Sequence, residues 1–261
     1  MNRKVPNIET KLASAYHQFN RREYVRPDPL EFLYNYPSIR DREIVGLTAS
    51  ALAYGRVAMI KRSVGAVLEM MGPSPADYVA TASSASLRRD FSEFKHRFAT
   101  GEHLSAMLTG ARNIIREQGS LHACFLQGCD SSDATVLPAL TRFCEKLVRT
   151  GDPGHLVPRP ERGSACKRMH LFLRWMVRKD AVDPGGWENM DPSKLIVPLD
   201  VHMHRVCTFL GLTSRKAADL KTALEITAAF ARWVPEDPVR FDFALTRFGI
   251  RGEMSIDEFF S

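Results

Sequence analysis

The chain has 261 residues, 44% of them hydrophobic and 25% charged, the make-up of a globular protein with a real core, which excludes disordered and fibrous classes. Lys and Arg number 36 against 30 Asp and Glu, a net charge of +6 that is compatible with a polyanionic partner. The five cysteines, Cys124, Cys129, Cys144, Cys166 and Cys207, form no CxxC pair, so zinc-finger and iron–sulfur spacings are excluded and reduced, buried thiols are expected.

No apolar run reaches the roughly 18–20 residues that a membrane span requires. The opening Met1-Asn2-Arg3-Lys4-Val5-Pro6 carries two cations with no apolar stretch behind them, so neither a leader nor a membrane partner is expected. The expectation is a soluble cytoplasmic chain.

In chain order the periodicity is helical. Ile8, Leu12, Ala15 and Phe19, three or four apart, predict a helix over 8–23. Ile44, Leu47, Ala51 and Tyr54 predict a second over 41–54. Ile60, Val64 and Leu68 predict a third over 56–71, stopped by Gly72-Pro73. Further helices are expected at 75–81, 103–118, 133–149, 166–178, 201–210, 215–230 and 238–248. Period-2 strands are missing, so the fold class is all-α.

Two stretches interrupt the pattern. Residues 151–163 hold three prolines and three glycines and read as a loop. Residues 181–198 form an irregular connector of a length that is uncommon in compact domains and often functional. One two-lobed helical domain over 1–261 is expected, with its active segment at about 150–210.

That segment carries the chemistry. Gly163-Ser164-Ala165-Cys166 leads into a helix with Lys167 in its first turn, and free backbone N–H groups at such an end attract an anion. Asp200, after Ile196-Val197-Pro198-Leu199 and before Val201-His202-Met203-His204, is an N-cap for the next helix. His202 and His204 invite a metal reading, but residues two apart on a helix point about 200° away from each other, so no metal site is expected.

At these residues a resemblance becomes specific. Val197-Pro198-Leu199-Asp200-Val201-His202 resembles the aspartate segment of the helix-hairpin-helix DNA glycosylases, in particular the 8-oxoguanine glycosylases. Gly163-Ser164-Ala165-Cys166-Lys167 is similar to their Gly-x-Gly-x-Lys hairpin, with Ala165 in place of the second glycine. The overall likeness is to a bacterial group of hypothetical proteins of unknown function that look like distant members of that superfamily.

The resemblance implies a two-lobed helix-hairpin-helix fold and a base-excision glycosylase with lyase activity. An oxidised purine flipped from duplex DNA would be the substrate. It implies Lys167 as nucleophile and Asp200 as stabiliser of the cationic sugar. Gly163, Ser164, Ala165, Arg168, His204, Arg205 and Arg56 are expected to contact DNA, with Tyr54 beside Arg56 as a wedge. Trp187, Phe241 and Asp242 are expected in the base pocket. Arg168, His170, Arg174, Arg178 and Lys179 form a basic run expected to face phosphates. The partner is double-stranded DNA, the chain is expected to act as a monomer near the nucleoid, and no cofactor is called for. A non-catalytic nucleic-acid-binding protein and a metal-dependent hydrolase are the competing readings.

Overall fold

A computed structural model describes residues 6–250 and Phe259. The leader reading at residues 1–5 lies outside the described residues. In chain order the helices are α1 Ile8–Phe19, α2 Ile39–Ala51, α3 Val57–Met71, α4 Pro75–Thr81, α5 Ser84–Asp90, α6 Gly101–Gln118, α7 Leu121–Gln127, α8 Leu137–Val148, α9 Lys167–Val177, α10 Val201–Phe209, α11 Leu220–Ala231 and α12 Asp242–Ile250. The described sheet is one hairpin, β1 Lys95–His96 paired antiparallel with β2 Ala99–Thr100. The fold is all-α, as expected.

Helix ends depart from the periodicity where a side chain captures the backbone. α1 stops at Phe19 because Asn20 leaves the helical conformation and its amide donates to Asp180 at 3.0 Å. α11 begins late because Asp219 is the true cap, accepting from the Thr222 amide at 2.9 Å. The short helices α5 and α7 escape a periodicity argument. Their signal lies in the caps Ser83 and Ser120, which accept from Ser86 and Ala123.

α2 is the central element, buried continuously from Glu43 to Ala51 and packed against α9, α4 and the 3-10 segment Pro29–Asn35. Its small residues let neighbours approach closely. α4, α5, α7 and α8 each pack on α6, and α4 also on α2, whereas α1 and α10 pack on α12. One cluster of buried apolar side chains runs from Leu12 to Phe248, so these groups share a core.

α6 and α8 cross at Gly110, where an added Cβ would stand 2.1 Å from the Leu147 carbonyl oxygen. Alanine is the better helix former by roughly 1 kcal/mol. Backbone overlap here cannot be relieved by a rotamer change, so the clash wins. Gly110→Ala is expected to destabilise the fold by about 1–3 kcal/mol in urea or thermal unfolding.

Candidate active site

The loop before α9 is docked, not free. Gly163, at φ +77, accepts a hydrogen bond from the Leu220 amide, and Ser164 bridges to Asp219 at the start of α11. Cys166, also left-handed at φ 47, turns the chain so that Lys167 is the first residue of α9. Pro198 and Leu199 deliver Asp200 to the start of α10. One carboxylate oxygen of Asp200 accepts from the Met203 amide at 2.8 Å, and the other lies 2.9 Å from Lys167 Nζ. The cap and the ion pair therefore use different oxygens of one side chain. Burial pushes the Asp200 carboxyl up, but the Lys167 ammonium and the Met203 N–H more than offset it and hold it below the usual carboxylate range.

The pair opens onto a cavity of about 470 Å³, whose wall includes Tyr54, Leu171, Trp175, His202, Asp242 and Arg247. Four buried polar atoms on that wall, Trp175 Nε1, His202 Nε2, Asp242 Oδ1 and Arg247 Nε, have no hydrogen-bond partner among the described residues. Unpartnered buried polar atoms are rare and need a reason. Here they give the cavity two donors, an acceptor and a group that can act as either, which suits a planar heterocycle with polar edges.

Burial raises the Asp242 carboxyl to about 6, although its ion pair with Arg174 pulls the other way. Burial also depresses His202. Because the folded value for Asp242 exceeds the unfolded one, folding takes up a proton between about pH 4 and 6. This group's contribution is then favourable at low pH and is lost as pH rises through that window. Asp242→Asn should flatten the pH dependence of urea-unfolding stability there by up to about 1.4 kcal/mol per pH unit.

The expected site residues divide. Lys167, Asp200 and Asp242 meet at one cavity. Gly163, Ser164, Arg205 and Arg56 are exposed, while Ala165 is buried beneath the loop. Arg168 turns inward instead of toward a phosphate: it donates to the carbonyls of Ala51, at 3.0 Å, and His155, and lies over the Tyr54 ring. His204 is likewise engaged, 2.8 Å from the Arg215 carbonyl oxygen.

Trp187 is a core residue and not a lid: its indole N–H donates to Glu43 at 2.9 Å among Phe125, Phe172 and His122. The connector is irregular in backbone but fixed in packing. Phe241 packs on Phe230 and Tyr16, leaving its neighbour Asp242 on the cavity wall. Tyr54 is wall and not wedge, because its hydroxyl donates to the His96 carbonyl at 2.8 Å.

The basic run on α9 is the largest correction. Lys179 is exposed, but His170, Arg174 and Arg178 are buried, and the two arginines pair with Asp180, Asp183, Asp237 and Asp242. Their partners lie past the end of α9, so a charge pattern along α9 alone reads as solvated. Trp175, whose helical spacing predicts a core residue and which is buried, and His202 also stand on the cavity wall, a place the sequence does not mark. Arg247 and Asp28 join them as an ion pair across the chain at 2.9 Å. Four cysteines are buried and Cys129 is exposed, none of them in a disulfide. Among the described residues no group of three or more His, Cys, Asp or Glu is placed to hold a metal ion, and no helix is long and apolar enough to cross a membrane.

The geometry defines a class: a helical protein in which an amine and a carboxylate from two consecutive helices face a cavity walled by unpartnered polar atoms. Residues 28–251 match a family described as a protein of unknown function (DUF2400), and the chain belongs to that family. Comparison with curated proteins and with solved structures finds no match.

Proposed function

We propose that the protein is a DNA base-excision glycosylase with associated lyase activity, built on a two-lobed helix-hairpin-helix scaffold. The observation that carries this reading is the 2.9 Å pair of Lys167 Nζ and Asp200 Oδ2 at a cavity with unpartnered polar walls. A base buried in a duplex must be flipped out before its glycosidic bond can be reached, and a cavity of about 470 Å³ falls in the size range of small-ligand pockets.

The chemistry follows from the pair. Asp200 accepts a proton from the Lys167 ammonium, leaving a free amine. The amine nitrogen then forms a bond to the sugar C1′ as the glycosidic C–N bond breaks, and the base departs with that electron pair and the proton that Asp200 took from Lys167. Once that proton has left with the base, Asp200 is again a carboxylate and faces the positive charge on the sugar and its newly bonded nitrogen. The C1′–O4′ bond then breaks as one nitrogen proton passes to the ring oxygen, which gives a Schiff base on Lys167, and loss of a C2′ proton with departure of the 3′ phosphate cuts the strand. Trp175, His202 and Asp242 bond the edge of the extruded base, and an oxidised purine is the substrate class proposed.

Borohydride trapping tests the reading on duplexes carrying 8-oxoguanine, uracil, hypoxanthine or an abasic site. A covalent protein–DNA band on at least one duplex, insensitive to chelator, is expected. DNA binding without a band on any of them would leave a non-catalytic binding protein.

A further inference from the structure

The β1–β2 hairpin carries two residues at its tip, Arg97 and Phe98. Phe98 is 73% exposed, the most exposed of the described aromatic side chains that stand out from the surface. Arg97 holds φ 53, a left-handed conformation that glycine or asparagine usually fills in so tight a turn. A single exposed apolar residue needs no explanation by itself. Its mounting does.

The hairpin is braced from below. His96 is buried, with Nδ1 2.9 Å from Ser63 Oγ, Nε2 3.0 Å from the Tyr54 carbonyl oxygen, and its own carbonyl bonded to the Tyr54 hydroxyl. Ala99 on the return strand is fully buried. Tyr54 is a wall residue of the cavity, so the hairpin is fixed to that wall. The Arg97 side chain lies against Gly55, another wall residue, close enough that a Cβ there would meet Arg97 Cδ at 2.8 Å. The Phe98 ring sits 6.2 Å from that of His155, which in turn sits 5.0 Å from that of Tyr54. A rigid aromatic tip thus stands beside the cavity, flanked by the exposed cations Lys95, Arg97 and Arg56.

We propose that Phe98 is a wedge that enters the base stack of duplex DNA at the step vacated by the flipped nucleotide, with Arg97 and Lys95 on the adjacent phosphates. The proposal rests on the glycosylase reading. Extruding a nucleotide leaves an unstacked step, and an aromatic face restores stacking without regard to sequence. A mobile tip would lose ordering entropy on insertion, which a braced hairpin has already lost.

The test uses the full chain and a duplex with a tetrahydrofuran abasic analogue next to 2-aminopurine, read by affinity and by fluorescence. Wild type and Phe98→Trp are expected to bind and to change the 2-aminopurine signal. Phe98→Ala should lose roughly tenfold or more in affinity together with the signal, while Met70→Ala, at another exposed apolar residue, keeps both. The deficit should shrink on the same sequence as a single strand, which has no stack to open. Phe98→Ala binding the duplex as wild type, with the full signal, overturns the wedge alone. Wild type that binds no duplex overturns both readings. Wild type that binds and shows the signal but traps on no lesion leaves the wedge standing and removes the lyase chemistry.

Discussion

Lys167→Ala is expected to abolish the borohydride-trapped adduct and to slow strand incision by on the order of a thousandfold or more, because nothing else on the cavity wall supplies a primary amine. The fold should barely register the change. Lys167 and Asp200 are each about a third exposed, and an ion pair so placed contributes about 0–1 kcal/mol. Asp200→Asn separates the two duties of the carboxylate. The amide oxygen still accepts from Met203, so the cap survives, while the charge facing the sugar disappears. Adduct formation should fall by roughly a hundredfold or more with little change in melting temperature. Asp200→Ala removes the cap as well and should cost about 1 kcal/mol of stability besides. Because the Asp200 carboxyl is held low, its stabilising contribution is full above the unfolded carboxylate range and fades as pH falls through the folded value. An adduct that persists in Lys167→Ala would place the nucleophile elsewhere; a large loss of stability would make the pair structural.

What the sequence discloses and what it hides follow from how far each interaction reaches along the chain. Lys167 and Asp200 are legible because each opens a helix, and helix starts are written in local residue types: a glycine and small residues before one, a proline and a capping carboxylate at the other. Their meeting at 2.9 Å is a tertiary fact that no periodicity contains. The basic face of α9 reads as solvated because its countercharges sit at Asp180, at Asp183 in the irregular connector, and at Asp237 and Asp242, where no helical spacing points. Trp187 in the connector reads as a lid because irregular backbone suggests exposure, yet a buried glutamate on α2 takes its indole N–H. Phe98 escapes notice because strands of two residues are too short for alternation to register.

The largest expected loss of stability lies in the network beneath the cavity. Asp183 is fully buried and bonds both Arg174 and Arg178. Burial works against both guanidinium charges, and the surrounding carboxylates, Asp183 first among them, more than offset it. Asp183→Ala removes the shared partner. Arg178 keeps Asp180 and Asp237, but Arg174 keeps only Asp242 for its charge. Breaking a buried pair by deleting one member costs about 3–5 kcal/mol, and the remaining partners put this case toward the lower end in urea unfolding. Asp183→Asn, which keeps the shape and an accepting oxygen, should cost less. The same variant reaches the cavity through Arg174. The Asp183 charge is one of the influences that raise the Asp242 carboxyl to about 6. Without it Arg174 serves Asp242 alone, so Asp242 should release its proton at lower pH, and the stability slope between about pH 4 and 6 should move down the scale. An unchanged slope would separate the network from the cavity and reduce it to a clamp between α9 and the connector. A shifted slope would show that residues buried behind the wall set the protonation of the group presented to the ligand.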